Sequence, residues 1–248
     1  MNFQRRKQII LEKLNIDNEV DIKQMAIELN ASEITIRRDL NQFAADGLLY
    51  RTHGGAMKVN PFEIPHDFIN KAAKNVEVKD KICRAAAEQI NHGDIIFMDC
   101  GSTVFRLCQF IKNKKIKVIT NSIPVVFELQ NSMASLNIIG GEFDAERQAV
   151  HGKIADEHIA RYRANKAFLG VDGISRNGLF ANSELEADIT QAFAANSSKT
   201  YLLCDDSKIG KESYLKFAEV NMVNAIITNS KSDELVYFKK KGVEVISV

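Results

Sequence analysis

Apolar positions along the first sixty residues recur at helical spacing in three short blocks, then give way to the alternation expected of strands. Ile9, Ile10 and Leu14 mark a helix over roughly 3–14. Ile22, Met25, Ala26 and Leu29 follow the i, i+3, i+4, i+7 pattern behind Asp21, a good N-cap with Gln24 three residues on, so a second helix starts there. After Asn30-Ala31, Ser32 caps a third helix, which Gly47 ends. Ile36, Leu40 and Phe43 form its buried face with Ala44 beside them; Thr35, Arg38 and Gln42 therefore point outward and Arg37 lies on the flank. Residues 48–52 read as a strand, His53-Gly54-Gly55 as a turn admitting positive φ, and 56–59 as the return strand. Two helices joined by a tight turn and followed by a hairpin make a winged helix-turn-helix.

Beyond Pro61 and Pro65 the pattern changes. A helix over roughly 78–90 ends at His92-Gly93, and short apolar runs follow at 95–98, 118–119, 136–139, 167–171, 201–203, 225–227 and 243–246. Apolar runs of strand length that alternate with helical stretches predict a mostly parallel sheet covered by helices. The expected organisation is a small winged helix-turn-helix domain at 1–59, a linker at 60–78 and an α/β domain at 79–248.

Composition narrows the class without naming a function. At 248 residues, with 45% hydrophobic and 26% charged residues, the chain has the make-up of a globular protein with one small and one medium-sized domain. No apolar run approaches the length of a membrane span, and MNFQRRKQIILEKL lacks the apolar stretch and cleavage site of a secretory signal, so a cytoplasmic location with no membrane partner is expected. Cys83, Cys100, Cys108 and Cys204 lie far apart, and neither they nor the five histidines show metal-ligand spacing; no metal and no cofactor are expected.

A net charge of +1 excludes bulk attraction to nucleic acid and leaves only local patches. Basic charge collects at Arg5, Arg6 and Lys7, at Arg37 and Arg38, and at Arg51 and Lys58, while most acids of this region fall between Glu12 and Glu33. An arginine pair on a helix is commonly just a solvated surface. Here it sits on the second helix of a helix-turn-helix, the one such units insert into the major groove of double-stranded operator DNA. Thr35 and Arg38, with Gln42 on the same outward face, could reach base edges; Ser32, Arg37 and the first-helix Arg6 could contact phosphate. The wing supplies Arg51 and His53, with Gly54 allowing close approach to the duplex. A domain this small buries too little surface for tight specific binding alone, so a homodimer or homotetramer on paired half-sites is expected.

In the second domain the run at 95–98 leads into Asp99-Cys100-Gly101-Ser102-Thr103 and then a helical stretch. A strand, a small-residue turn and a helix N-terminus form an anion site, because free backbone NH groups, hydroxyls and the helix dipole all favour phosphate. Thr120-Asn121-Ser122, Gly140-Gly141, Asp172-Gly173 and Asp205-Asp206-Ser207-Lys208 also follow expected strands, and ligands of open α/β sheets bind beyond the carboxyl ends of strands. Hydroxyls and NH groups for phosphate, carboxylates for sugar hydroxyls and Lys208 as a charge partner suit a small phosphorylated sugar or polyol. Neither nucleotide-binding glycine motif is present.

The run Thr35-Ile36-Arg37-Arg38-Asp39-Leu40, with Gly47, Arg51 and His53-Gly54-Gly55-Ala56, resembles the N-terminal signature of the DeoR family of bacterial sugar-metabolism regulators, and the resemblance covers nearly the whole chain. It implies a C-terminal sensor similar in fold to ribose-5-phosphate isomerase, in which a sugar phosphate releases a repressor from DNA. By match to family motifs, Asp99, Gly101, Ser102, Thr103, Asn121, Ser122, Gly141, Asp172, Gly173 and Lys208 would line the effector site, with Gly101-Ser102-Thr103 holding the phosphate. Glu184 and Glu186 are either sugar contacts or surface helix positions. Two places depart from the family pattern: Phe68-Ile69-Asn70-Lys71 stands where an arginine is usual, and Thr228-Asn229 where Thr-Asp is.

A sugar-phosphate isomerase-like enzyme is the main alternative. Isomerisation needs a positioned carboxylate base, and Ile174-Ser175 follows Asp172-Gly173 where isomerases present further acids. A purely protein-docking helical module is a third reading, against which the basic Gly-Gly wing argues.

Overall fold

The computed structural model describes residues 3–17, 19–45, 48–52, 54–58 and 74–248, and these fall into two compact units, Met1–Lys74 and Asn75–Val248. In the first unit α1 (Phe3–Asp17), α2 (Ile22–Glu28) and α3 (Glu33–Ala45) bury Ile10, Leu14, Ile22, Met25, Ile36, Leu40 and Phe43 in one core. Asp21 caps α2 as its sequence position requires, accepting from the amides of Lys23 and Gln24 at 2.8 and 3.0 Å.

Two features of this unit differ from the sequence-based expectation. The wing has three strands, because Glu19–Asp21 (β1) pairs antiparallel with Gly55–Lys58 (β3), which pairs in turn with Leu49–Arg51 (β2). Gly55 is needed for close approach rather than for positive φ: a Cβ there would lie 1.8 Å from the Val20 carbonyl oxygen of β1. Gly47 and His53 lie outside the described residues, as do residues 60–73 of the expected linker.

The α1–α3 contact holds an ion pair. Arg6 donates through Nε and Nη2 to the Asp39 carboxylate at 2.5 and 3.0 Å, with side chains only 13% and 4% exposed.

In the second unit the chain runs α4 (Val76–Glu88), β4 (Ile95–Met98), α5 (Ser102–Ile111), β5 (Lys117–Thr120), α6 (Ile123–Leu129), β6 (Ser135–Ile138), then a hairpin of β7 (Glu142–Asp144) and β8 (Ala149–His151), and α7 (Lys153–Ile159). It continues through β9 (Ala164–Leu169), β10 (Gly173–Ser175), β11 (Gly178–Ala181), α8 (Glu184–Ala195), β12 (Ser197–Leu203), β13 (Leu215–Ala218), β14 (Ala225–Thr228), α9 (Glu234–Lys240) and β15 (Glu244–Ser247). The seven apolar runs are the strands of one parallel sheet, in the order β15-β14-β12-β9-β4-β5-β6.

Residues within a strand alternate between two cores, as the pleat demands. Ile96 and Met98 pack with Ile82 and Ala86 of α4 and Leu107 of α5, whereas Phe97 faces Ile189 and Phe193 of α8, its ring 4.6 Å from that of Phe193. From β4 the chain builds outward to β5 and β6, then returns to the other side of β4 with β9. The strand order therefore reverses between β4 and β9, and open α/β sheets bind ligands at such a switch point.

Removing one partner of the α1–α3 pair leaves a desolvated charge, so Asp39→Ala is expected to destabilise the N-terminal unit by about 3 kcal/mol. Hydrogen exchange of the α1 and α3 amides in the full chain reads this out, and unchanged protection would refute it.

Candidate functional site

Two sets of residues stand out, one in each unit. On α3, Thr35, Arg38 and Gln42 point away from the buried Ile36, Leu40 and Phe43 and Arg37 lies on the flank, with Arg37, Arg38 and Gln42 exposed and Thr35 half-buried. The Ser32 hydroxyl accepts from the Thr35 amide at 3.2 Å and lies 2.8 Å from its hydroxyl, which orders the first turn. Arg37 has only a 3.8 Å contact with Glu33 one turn away.

Two basic residues expected to contact phosphate are occupied within the protein. Arg6 is held by Asp39, whose buried carboxylate requires a cation. Arg51 donates to Asn41 Oδ1 at 2.9 Å and to the Gly55 carbonyl, tying the wing to α3; burial, then the neighbouring Arg37 charge, lowers its pKa. Gly54 is exposed beside them.

In the second unit the residues singled out in sequence follow β4, β5, β6, β9 and β12, which are consecutive neighbours in the sheet. Asp99 is buried at the switch point, where its carboxylate accepts from the Cys100 amide at 2.7 Å and from the Gly170 amide, beyond β9, at 3.0 Å. Burial pushes its carboxyl up and those amides oppose the shift. Gly101 is the N-cap of α5, with extended backbone and no side-chain cap, so the helix start is open.

The Ser102 hydroxyl on that first turn accepts from Lys79 Nζ of α4 at 3.2 Å. The Thr103 carbonyl accepts from the Cys83 thiol at 3.1 Å. Lys208, in the turn after β12, lies 3.8 Å from Asp172 Oδ1, while the other Asp172 oxygen accepts from the Asn182 amide at 3.0 Å. The buried Asp205 accepts from the Ser207 amide at 3.0 Å and from Asn75 Nδ2 at 3.4 Å. At the position departing from the family pattern, Asn229 accepts the Asp206 amide at 2.9 Å.

Some expected lining residues shape the site rather than face it. Ser122 is fully buried and caps α6 through the Val125 amide at 3.5 Å. Gly173 is there because a Cβ would meet the Lys211 carbonyl oxygen at 2.4 Å. Gly141, with φ +152°, leaves room for the His151 carbonyl oxygen, which a Cβ would approach to 2.7 Å. Cys100 is buried with its thiol pushed well up by burial, the state of a packed side chain and not a reactive one. Of the two helix acids, Glu184 is exposed, and Glu186 turns inward to pair with Arg147.

Lys79 was missed in sequence, although a signal existed. It occupies the apolar stripe that continues through Ile82, Cys83 and Ala86, where a charged residue is out of place unless it has a task. Burial lowers its pKa to about 8, the Asp205 charge opposes this, and Lys208 and Arg106 lower it further. The Arg147–Glu186 pair joins residues too distant in sequence to be foreseen. Among the described residues no cluster of His, Cys, Asp or Glu is placed to hold a metal, and no helix is long and apolar enough to cross a membrane.

A family model of the DeoR-like helix-turn-helix domain matches residues 6–61, and one of the DeoR C terminal sensor domain matches residues 74–230. The chain belongs to the DeoR family. Among similar proteins, the lactose phosphotransferase system repressor of Lactococcus lactis subsp. lactis is 35% identical over 93% of this chain and 92% of its own length. The one from Streptococcus mutans serotype c is 30% identical over the full length of both chains. The uncharacterized HTH-type transcriptional regulator FruR of Bacillus subtilis strain 168 is 31% identical over 98% of this chain and 97% of its own. Among solved structures, ribose 5-phosphate isomerase A from Methanocaldococcus jannaschii is similar over 55% of each chain, at 17% identity and a TM-score of 0.41. This DeoR-family member is a DNA-binding transcriptional regulator of sugar metabolism and not an enzyme.

If an anion occupies the turn at Ser102, the ammonium of Lys79 is the nearby charge available to it. Inorganic phosphate should therefore bind more weakly as pH rises through about 8, approaching a tenfold loss per unit above it, in calorimetric titrations of the full chain. The effect on the ligand-free fold has the opposite slope. The folded-state pKa is depressed from 10.5, so between about 8 and 10.5 the unfolded chain binds more protons and this residue's contribution to stability rises with pH.

Proposed function

We propose that this regulator represses a sugar or polyol catabolic operon by binding paired operator half-sites as a homodimer or homotetramer, and that a phosphorylated sugar or polyol releases it. The first unit is the DNA-binding domain. Thr35, Arg38 and Gln42 enter the major groove and read base edges. Ser32 and Arg37 contact phosphate at the helix start and flank, and the wing lies along the backbone, where Gly54 permits close approach. Arg6 and Arg51 serve this surface indirectly, by fixing α1 and the wing against α3.

The second unit is the sensor. The observation that carries the reading is the buried ammonium of Lys79 on the Ser102 hydroxyl, at a helix start with no side-chain cap. A buried cation beside an open helix N-terminus suits a phosphate, which takes hydrogen bonds from the free amides, Ser102 and Thr103 while Lys79 and Lys208 supply charge. Asp172, already within reach of Lys208, is the acceptor for a sugar hydroxyl. Gly101, Gly141 and Gly173 keep the surrounding backbone close, and Asp99, Asn121 and Ser122 hold the strand ends that carry the site. The relatives named for lactose phosphotransferase repression, with almost the whole chain aligned, support repression of a sugar pathway.

Arg38→Ala is expected to weaken operator binding by about 1–3 kcal/mol and to relax discrimination at one base position. Arg37→Ala should weaken all duplexes alike and lower the salt slope by about one. Fluorescence anisotropy on operator and scrambled duplexes over a salt series measures both, and equal behaviour of the two variants would overturn the groove assignment. Lys79→Met should bind operator normally yet resist release by every sugar phosphate. A variant still released at the parental concentration would remove Lys79 from the effector site.

A further inference from the structure

His151 ends β8, only 2% exposed, and neither ring nitrogen makes a well-formed hydrogen bond among the described residues, though the Leu185 backbone interacts with the ring. Asn121, fully buried beyond β5, is in the same condition at its side-chain oxygen: its amide nitrogen donates to the Val150 carbonyl at 3.1 Å while Oδ1 is left unpaired. Buried polar atoms are nearly always satisfied, and several unsatisfied ones in one region call for a polar occupant.

The two residues belong to one region. The Asn121 carbonyl accepts from the Val150 amide at 2.8 Å, next in sequence to His151. Met98 and Thr120 are paired across β4 and β5, so Asp99 and Asn121 leave the sheet side by side. The charge of Asp99 acts on His151 directly. Asp99 and Ser102 lie in the same short turn, and Ser102 is the residue that Lys79 contacts. The turn thus has Lys79 toward one end and His151 with Asn121 toward the other.

The charges around His151 decide what it can accept. Burial lowers its pKa, opposed by Asp99, by Asp144 and by the Leu185 backbone, with Arg147 acting in the lowering direction. At neutral pH the ring is uncharged and offers one donor and one acceptor, the complement of a hydroxyl. Asp156 also senses this ring, and its own carboxyl is pushed up by burial and by Asp188. Arg147, the cation whose charge acts on this ring, is paired with Glu186.

We propose that His151 and Asn121 read the hydroxyl end of the effector, selecting a sugar monophosphate with a neutral polyol tail over a bisphosphate. The inference rests on the phosphate position at Ser102 and Lys79. The neutral imidazole and the carboxamide oxygen take hydroxyls, and the Asp144 carboxylate, whose charge reaches His151, disfavours a second phosphate.

The test titrates the full chain with inorganic phosphate, a ketohexose monophosphate and a ketohexose bisphosphate, for the parent, His151→Leu and His151→Gln. The monophosphate should bind the parent at least tenfold more tightly than the bisphosphate. His151→Leu should lose roughly tenfold in affinity for the monophosphate with inorganic phosphate unchanged, and His151→Gln should recover part of that loss. Equal monophosphate affinity in His151→Leu and the parent, or a parent that prefers the bisphosphate, would overturn the inference while leaving the phosphate site standing. Should His151→Leu fail to fold, the parent's preference between the two sugars and the glutamine variant still decide. No binding of inorganic phosphate or either sugar phosphate by the parent would overturn the phosphate reading and this inference together.

Discussion

The buried carboxylate of Asp99, accepting the amides of Cys100 and Gly170, ties β4 to β9 where the strand order of the sheet reverses. A desolvated carboxylate is tolerable only when donors surround it, so its position dictates the path of the turn that follows. With Asp99 held, Cys100 is buried, Gly101 takes up extended backbone, and α5 begins with its first amides uncapped. Ser102 meets Lys79, and His151 comes within the field of Asp99. The strand ends proposed to form the sensor site are therefore organised by a group that binds protein amides.

The same separation of supporting and contacting groups holds in the DNA-binding unit. Arg6 and Arg51 spend their donors on Asp39, Asn41 and the Gly55 carbonyl, and so fix the angle between α1, α3 and the wing. Arg38 on the outward face of α3 and Arg37 on its flank retain solvent exposure. An arginine near DNA is useful for binding only if its guanidinium is not already saturated, and burial decides that at each position. Net charge close to zero is compatible with nucleic-acid binding because Arg37 and Arg38 place their charge locally on exposed positions of α3.

Lys79 illustrates how a sensor keeps a charge poised. Taken alone its ammonium is destabilised by burial, which is why its pKa falls to about 8. Asp205 offsets part of the cost, and under the proposed sensor reading an arriving anion would offset more of it, linking ligand binding to local stability through one proton. Any signal passed to the DNA-binding unit must draw on such a difference between bound and free states, since a ligand shifts an equilibrium only by its differential affinity.

Sequence alone determined the elements and their class. Helical periodicity placed Ile36, Leu40 and Phe43 on one face of α3, and apolar runs of strand length located the strands of the parallel sheet, because both patterns arise from local backbone geometry and the need to bury one face. It also placed the small-residue turn after β4 at a strand end. What it could not supply were the partners of each polar group. Arg6 with Asp39, Arg147 with Glu186 and Lys79 with Ser102 are separated by 33, 39 and 23 residues, and no periodicity relates such positions. The third wing strand and the steric need for Gly55 arise from the return of the chain beside Val20, and the unsatisfied ring nitrogens of His151 arise from its burial. Periodicity is a property of neighbours along the chain, whereas desolvation and hydrogen-bond satisfaction are properties of neighbours in space, and only the tertiary structure decides those.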